Sequence, residues 1–166
     1  MNKLQRLFRH LFSTAARTRT LFSPAVLGEI EAAIAAAEAR HCGEIRFVVE
    51  TALPLTALWQ DVTPRARALQ LFAHLRVWDT HHNNGVLIYV LRADRAVEIL
   101  ADRGISARVS EAEWQAVCRE VENHYRAGGY AHGSSAAVAG VARLLGQHFP
   151  AGGSAANELP NQPILL

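Results

Sequence analysis

The feature that most restricts the fold of this chain is Val86-Leu87-Ile88-Tyr89-Val90-Leu91, an unbroken apolar run entered from Asn83-Asn84-Gly85 and left through Arg92-Ala93-Asp94-Arg95. A strand with one wet face alternates polar and apolar residues, whereas a run without alternation reads as a strand covered on both faces. Such a strand needs helices above and below it, and the chain supplies helix starts. Ser23-Pro24 and Thr63-Pro64 each set a capping side chain before a proline whose missing N–H costs nothing in a first turn. Ser110-Glu111-Ala112-Glu113 has the capping-box spacing.

Ile45 to Glu50 is short and rich in branched residues, and Ala96 to Ala101 follows the central run after a tight turn. The long helix-bearing connection between the first two strands makes them parallel, and the tight turn makes the third antiparallel. The expected fold class is therefore α/β: a small mixed sheet, two parallel strands plus an antiparallel hairpin strand, sandwiched by helices. The inward faces are Val26, Leu27, Ile30, Ala33, Ile34 and Ala37, then Ala68, Leu71, Phe72 and Leu75, then Trp114, Val117, Cys118, Val121 and Tyr125. Arg65, Arg67 and Arg76 are expected in solvent, and a last helix near Ser135 to His148. Beyond Pro150 the sequence loses periodicity and gathers turn formers. The organisation reads as a basic amphipathic helix over residues 1–22, an α/β domain over 23–150 and a flexible tail over 151–166.

At 166 residues, half of them apolar and 19% charged, the chain has the size and balance of one globular domain. Its basicity is local. The first 22 residues carry Lys3, Arg6, Arg9, Arg17 and Arg19 and no acid, so with a whole-chain charge of +2 the rest is net acidic. Leu4, Leu7, Phe8, Leu11 and Phe12 share one helical face with the arginines around the other, a pattern suited to an anionic membrane surface or a protein partner, or to docking on the domain itself. Charges interrupt any signal-peptide core and no apolar run approaches the roughly 18 residues of a membrane span. The expected location is cytoplasmic, peripheral to the inner membrane. Cys42 and Cys118 lack metal or redox spacing. Scattered arginines without an aromatic stripe speak against nucleic acid, and the adjacent His81 and His82 against zinc.

Strand directions bring the start of the first strand, the start of the second and the end of the third to one edge. Glu44, Asn83, Asn84, Asp102 and Arg103 should converge there, with Asp79 nearby. Carboxylates and amide oxygens suit a hard divalent cation such as calcium, and Arg103 a phosphate. The alternative is structural: Asn-Asn-Gly turns the chain, and Asp102-Arg103 is a surface pair before a glycine of positive φ. In open sheets ligands more often bind at the carboxyl ends of the strands, marked here by Glu50, Thr51, Arg92, Asp94 and Arg95, so Arg92, Asp94 and Arg95 form a reserve site.

Gly43-Glu44-Ile45, Leu71-Phe72, Asn84-Gly85-Val86-Leu87-Ile88, Asp94-Arg95, Glu98-Ile99, Asp102-Arg103-Gly104-Ile105, Trp114, Tyr130 and Gly133 resemble the TPM domain, a module of thylakoid-lumen acid-phosphatase-like proteins of photosystem II repair and of many bacterial envelope proteins. The resemblance runs from about Ser23 to Phe149. It implies a compact α/β sandwich, a divalent cation site (calcium in some members) and weak phosphomonoesterase activity in some plant members. By position, Asn84, Asp102 and Arg103 correspond to the family's polar cluster, with Asp79 and Glu44 beside it. Ala101-Asp102-Arg103-Gly104 stands where a glycine-rich stretch is typical. Two functions stay open: a cation-binding interaction or accessory module at the membrane, and a weak metal-assisted phosphomonoesterase.

Overall fold

The apolar run forms β2 (Gly85–Leu91), buried along its whole length inside a four-stranded sheet of order β3-β2-β1-β4. The computed structural model describes residues 3–151 and 157–166. β1 (Glu44–Glu50) pairs parallel with β2, Glu44 opposite Gly85 through Glu50 opposite Leu91. β3 (Ala96–Ala101) pairs antiparallel with β2, as the tight turn requires. Gly85 is forced by close approach: a Cβ there would stand 2.0 Å from the Val77 carbonyl oxygen.

One face of the sheet carries Ile45, Phe47, Val49, Val86, Ile88 and Val90 against α3 (Pro24–Glu38), α7 (Glu111–Arg126) and α8 (Tyr130–His148). The other carries Val48, Leu87, Tyr89 and Leu91 against α5 (Pro64–His74). Each fully buried side chain such as Phe47 or Ile88 contributes roughly 1.5–3 kcal/mol. The caps form as read: Ser23, Thr63 and Ser110 accept from Val26, Ala66 and Glu113 backbone N–H groups, and the Ser110–Glu113 box closes in both directions. α8 starts five residues ahead of the sequence expectation, at Tyr130, straight after the positive-φ Gly128 and the Gly129 cap. The short α4 (Leu55–Trp59) was not anticipated.

Two expectations about the ends need correction. Residues 1–22 do not make one helix: α1 (Lys3–Leu11) and α2 (Ala15–Leu21) are separated at Phe12-Ser13-Thr14, where Thr14 caps α2 by accepting from Arg17 N–H at 3.3 Å. Residues 157–166 are not a flexible tail. Ile164–Leu165 forms β4, parallel to β1, with Leu166 N–H on the Val49 carbonyl at 2.8 Å and Leu159 buried. The open edge of β1 needed a partner for its backbone groups, and the apolar end of the chain provides one. Arg67 also departs from expectation, because it leaves solvent to grip Glu50.

Candidate functional site

At the amino rim the strand directions place the predicted residues as intended, yet their side chains diverge. Asp102 N–H donates to Gly85 O at 2.9 Å and Gly104 N–H to Asn83 O at 2.8 Å, so Asn83, Asn84, Asp102 and Arg103 are neighbours. Asn84 is fully buried, and its amide donates to Cys42 O at 2.7 Å. Asp102 caps the short α6 (Arg103–Ser106), accepting Arg103 N–H at 2.7 Å. The Arg103 guanidinium turns away from Asp102 and donates to Asn83 Oδ1 at 3.0 Å, so no surface pair forms between them. Positive φ falls on Asn83, at 51°, and not on Gly104. Gly104 is required instead by proximity, since its Cβ would lie 2.4 Å from Asn83 O.

The remaining two predicted ligands do not bring their side chains to this group, although Glu44 N–H donates to Asn84 O at 3.4 Å. Alternation puts Glu44 on the opposite face from Asn84. There Glu44 accepts Leu159 N–H at 3.1 Å, and burial raises its pKa. Asp79 is exposed, 4.0 Å from Arg76. Among the described residues no three His, Cys, Asp or Glu side chains are grouped closely enough to hold a metal ion. Two oxygens do remain without a donor in the buried rim: Asn84 Oδ1 and Asp102 Oδ2.

The carboxyl rim is richer than the sequence indicated. Asp94, in the β2–β3 turn, receives Arg6 Nη2 at 2.7 Å and Nε at 3.0 Å, and His10 Nε2 at 3.0 Å. His10 Nδ1 accepts Leu53 N–H at 2.9 Å, which puts the ring proton on Nε2. Burial opposes the Asp94 charge, but the hydrogen bonds from His10 and Arg6 outweigh it and carry the pKa down to about 2. Behind this clasp Glu50 accepts both Nε and Nη2 of Arg67 at 2.9 Å and the Tyr89 hydroxyl at 2.6 Å. Burial, then the Glu50 carboxylate, raises the Tyr89 pKa and keeps the phenol protonated.

The clasp mounts α1 in an unusual sense. Its polar residues Arg6 and His10 point at the domain, while Leu4, Phe8 and Leu11 are 65%, 56% and 56% exposed. Phe12, 76% exposed, stacks on Phe8 at 6.2 Å. Trp59, 81% exposed, lies with Leu4 and Lys3 around a shallow hollow, and Lys3 pairs with Asp61 there. Between α1, α2, the β2–β3 turn and the α7–α8 junction lies a cavity of about 530 Å³ lined by Arg9, Arg17, Arg92, Arg95 and Arg126 with Tyr130. Sequence reasoning singled out Arg92 and Arg95 but missed Arg9, Arg17 and Arg126. For Arg9 and Arg17 the signal available was the acid-free N-terminal segment, whose positive charge was read as facing a membrane or partner and not the end of the sheet.

A TPM domain profile matches residues 16–144. The chain is similar to the BA42 protein of the psychrophilic bacterium Bizionia argentinensis, solved by NMR, with 27% identity over 86% of this chain and 94% of that one and a TM-score of 0.76. The N-terminal domain of a protein from P. gingivalis shares the fold at 21% identity, covering 80% of this chain and 83% of that one with a TM-score of 0.63. No curated protein matches.

Proposed function

The chain belongs to the TPM domain family, and we propose that this member is an accessory module that sits on an anionic membrane surface through α1. One observation carries the proposal: α1 is fixed by its polar side, so its apolar row of Leu4, Phe8 and Leu11, continued by Phe12, is presented outward. A terminal helix ordinarily buries its apolar stripe on its own domain, and a solvent-facing row of this kind marks a contact surface. Lys3 and Arg6 are taken up by Asp61 and Asp94, but the exposed Arg17, which lines the same cavity as Phe12, supplies positive charge beside the row; phospholipid surfaces attract Lys and Arg while aromatic and aliphatic side chains enter the acyl boundary. No single helix among the described residues is long and apolar enough to cross a membrane, and the association proposed is a peripheral one.

Flotation with phosphatidylserine-containing vesicles tests this. The intact chain should float, and the pair Phe8→Ser with Phe12→Ser, both exposed and so harmless to the core, should lower the partition coefficient by about tenfold or more. Flotation unchanged by that pair would end the proposal.

A divalent cation at the amino rim is favoured by a separate observation, the two orphaned oxygens Asn84 Oδ1 and Asp102 Oδ2. Both are sealed from solvent, so the rim would have to open to admit the ion and the waters that complete its shell. Bound there, a cation would supply charge stabilisation and an activated water, the chemistry of the alternative phosphomonoesterase role. A calcium titration followed by backbone NMR should shift residues 83–85 and 102–104, and Asp102→Asn should abolish the shift. Calcium-induced shifts confined to other residues would remove this assignment.

A further inference from the structure

We infer that the arginine-lined cavity at the carboxyl rim binds the phosphate headgroup of an anionic phospholipid, so that the surface engaged by α1 is selected by its headgroup. The inference rests on the membrane role proposed above and names the ligand site.

The cavity holds more positive charge than the protein neutralises. Among the described residues no carboxylate lies within ion-pair distance of Arg17, Arg92 or Arg95, and the acid in the lining, Glu122, is already shared between Arg126 Nη2 at 3.0 Å and Val97 N–H at 3.3 Å. Arg92 is also fixed in direction. Its Nε donates to Thr18 Oγ1 at 2.7 Å, and the fully buried Thr18 is itself held by Thr51 Oγ1 at 3.1 Å. That bond uses one donor and leaves the two terminal nitrogens, the fork that matches two phosphate oxygens, without an acceptor among the described residues. Burial lowers the Arg92 pKa; Tyr130 acts against that and the nearby Arg17 charge adds to it, and the net cost of the charge is one an arriving anion relieves.

The mouth identifies the source of the anion. Phe12 lines the cavity and also continues the exposed apolar row of α1. A soluble phosphate ester would leave that row in water, whereas a phospholipid presents phosphate and acyl chains together, one to the arginines and the other to Phe12 and Phe8. The volume of about 530 Å³ is that of a small-ligand pocket and exceeds a bare phosphate, leaving room for the glycerol.

The test uses the full chain and three vesicle types: phosphatidylcholine alone, with phosphatidic acid, and with oleate at matched surface charge. Oleate supplies negative charge without phosphate. Phosphatidic acid should bind about tenfold more tightly than oleate, and Arg92→Gln and Arg95→Asn should each erase that difference, the loss of general charge attraction falling equally on the two matched vesicle types. Arg95 is exposed with φ of 54°, a conformation asparagine tolerates, so this second variant keeps the fold if the first disturbs it. A headgroup preference that survives both variants, or no preference in the wild type, overturns the cavity assignment and leaves the membrane role standing. Absence of binding to every vesicle removes both. Binding of glycerol 3-phosphate in solution as tight as vesicle binding assigns the cavity to a free ester and overturns the lipid source.

Discussion

The two rims of the sheet are built from the same residue types and end in opposite electrostatic states. At the amino rim Asp102 caps α6 and Arg103 settles on a neutral amide, so charges are absorbed locally and what remains is a pair of buried oxygens. At the carboxyl rim one carboxylate, Asp94, organises Arg6 and His10, and the surrounding arginines outnumber the acids available to them. The contrast teaches that arginine content does not define an anion site; what matters is which arginines the fold has left without a carboxylate.

The strongest way to break this contrast is to remove the clasp. Asp94→Ala leaves the Arg6 guanidinium without its counter-charge and the His10 Nε2–H without its acceptor in a mostly buried setting, and losing one member of such a group costs roughly 3 kcal/mol. The loss should appear as undocking of α1 and α2, seen as faster amide exchange over residues 3–21 and a lower thermal midpoint. Protection of α1 equal to wild type would show that the helix is held by something other than Asp94. The same carboxylate gives a pH signature. Its pKa is depressed to about 2, so its contribution is complete above its unfolded value of 3.8 and disappears as pH falls through the folded one.

A smaller effect is expected at the amino-rim end of β1, where the C-terminal segment covers the lower face. Leu159 is buried there, its N–H donates to Glu44, and Arg46 donates to the Pro160 carbonyl and to the Gln162 carbonyl at 2.8 Å. Leu159→Ala should cost about 2 kcal/mol, in the lower range for such truncations because the site lies near a chain end that can relax. Urea unfolding measures it, and an effect below about 0.5 kcal/mol would mean that the segment adds surface without adding stability.

The sheet was legible because its signals were local and mutually consistent: an apolar run, three capped helix starts and a tight turn allow few topologies. β4 was not legible, since two residues carry no periodicity and only the open edge of β1 explains why Ile164 and Leu165 pair there. Proximity at the amino rim could be deduced from strand direction. The divergence of Glu44 could not, because which face it takes follows from the exact strand start. The arginine cavity was half legible. Arg92 and Arg95 follow from the carboxyl-end rule, but the arrival of Arg9 and Arg17 depends on the chain breaking at Ser13-Thr14, where two capping residues inside an otherwise helical pattern were the overlooked sign.

Glu38, at the end of α3, sharpens the electrostatic contrast from the amino side. It accepts Ile45 N–H at 2.8 Å, yet burial, assisted by Glu44, raises its pKa from 4.5 to about 7. Between these values the folded chain holds a proton that the unfolded chain has lost, so stability is full below about pH 4.5 and declines toward pH 7. Glu38→Gln keeps the acceptor and removes the decline. Discounted for a half-exposed group, the gain above pH 7 is about 1 kcal/mol, to be read from denaturant midpoints at pH 5 and 8. A variant with the same pH dependence as wild type would place the titration elsewhere.

The smallest effect should come from Arg103→Ala, and its smallness is what discriminates the rims. The side chain is exposed and donates to the neutral Asn83 amide at 3.0 Å, so the expected cost is below about 0.5 kcal/mol. The α6 cap survives because Asp102 accepts from the backbone N–H of residue 103, which the substitution retains. If the anion site lies at the carboxyl rim, the variant should distinguish phosphatidic acid from oleate vesicles as wild type does. Loss of that discrimination would move the phosphate to Arg103 and reverse the comparison between the two ends of the sheet.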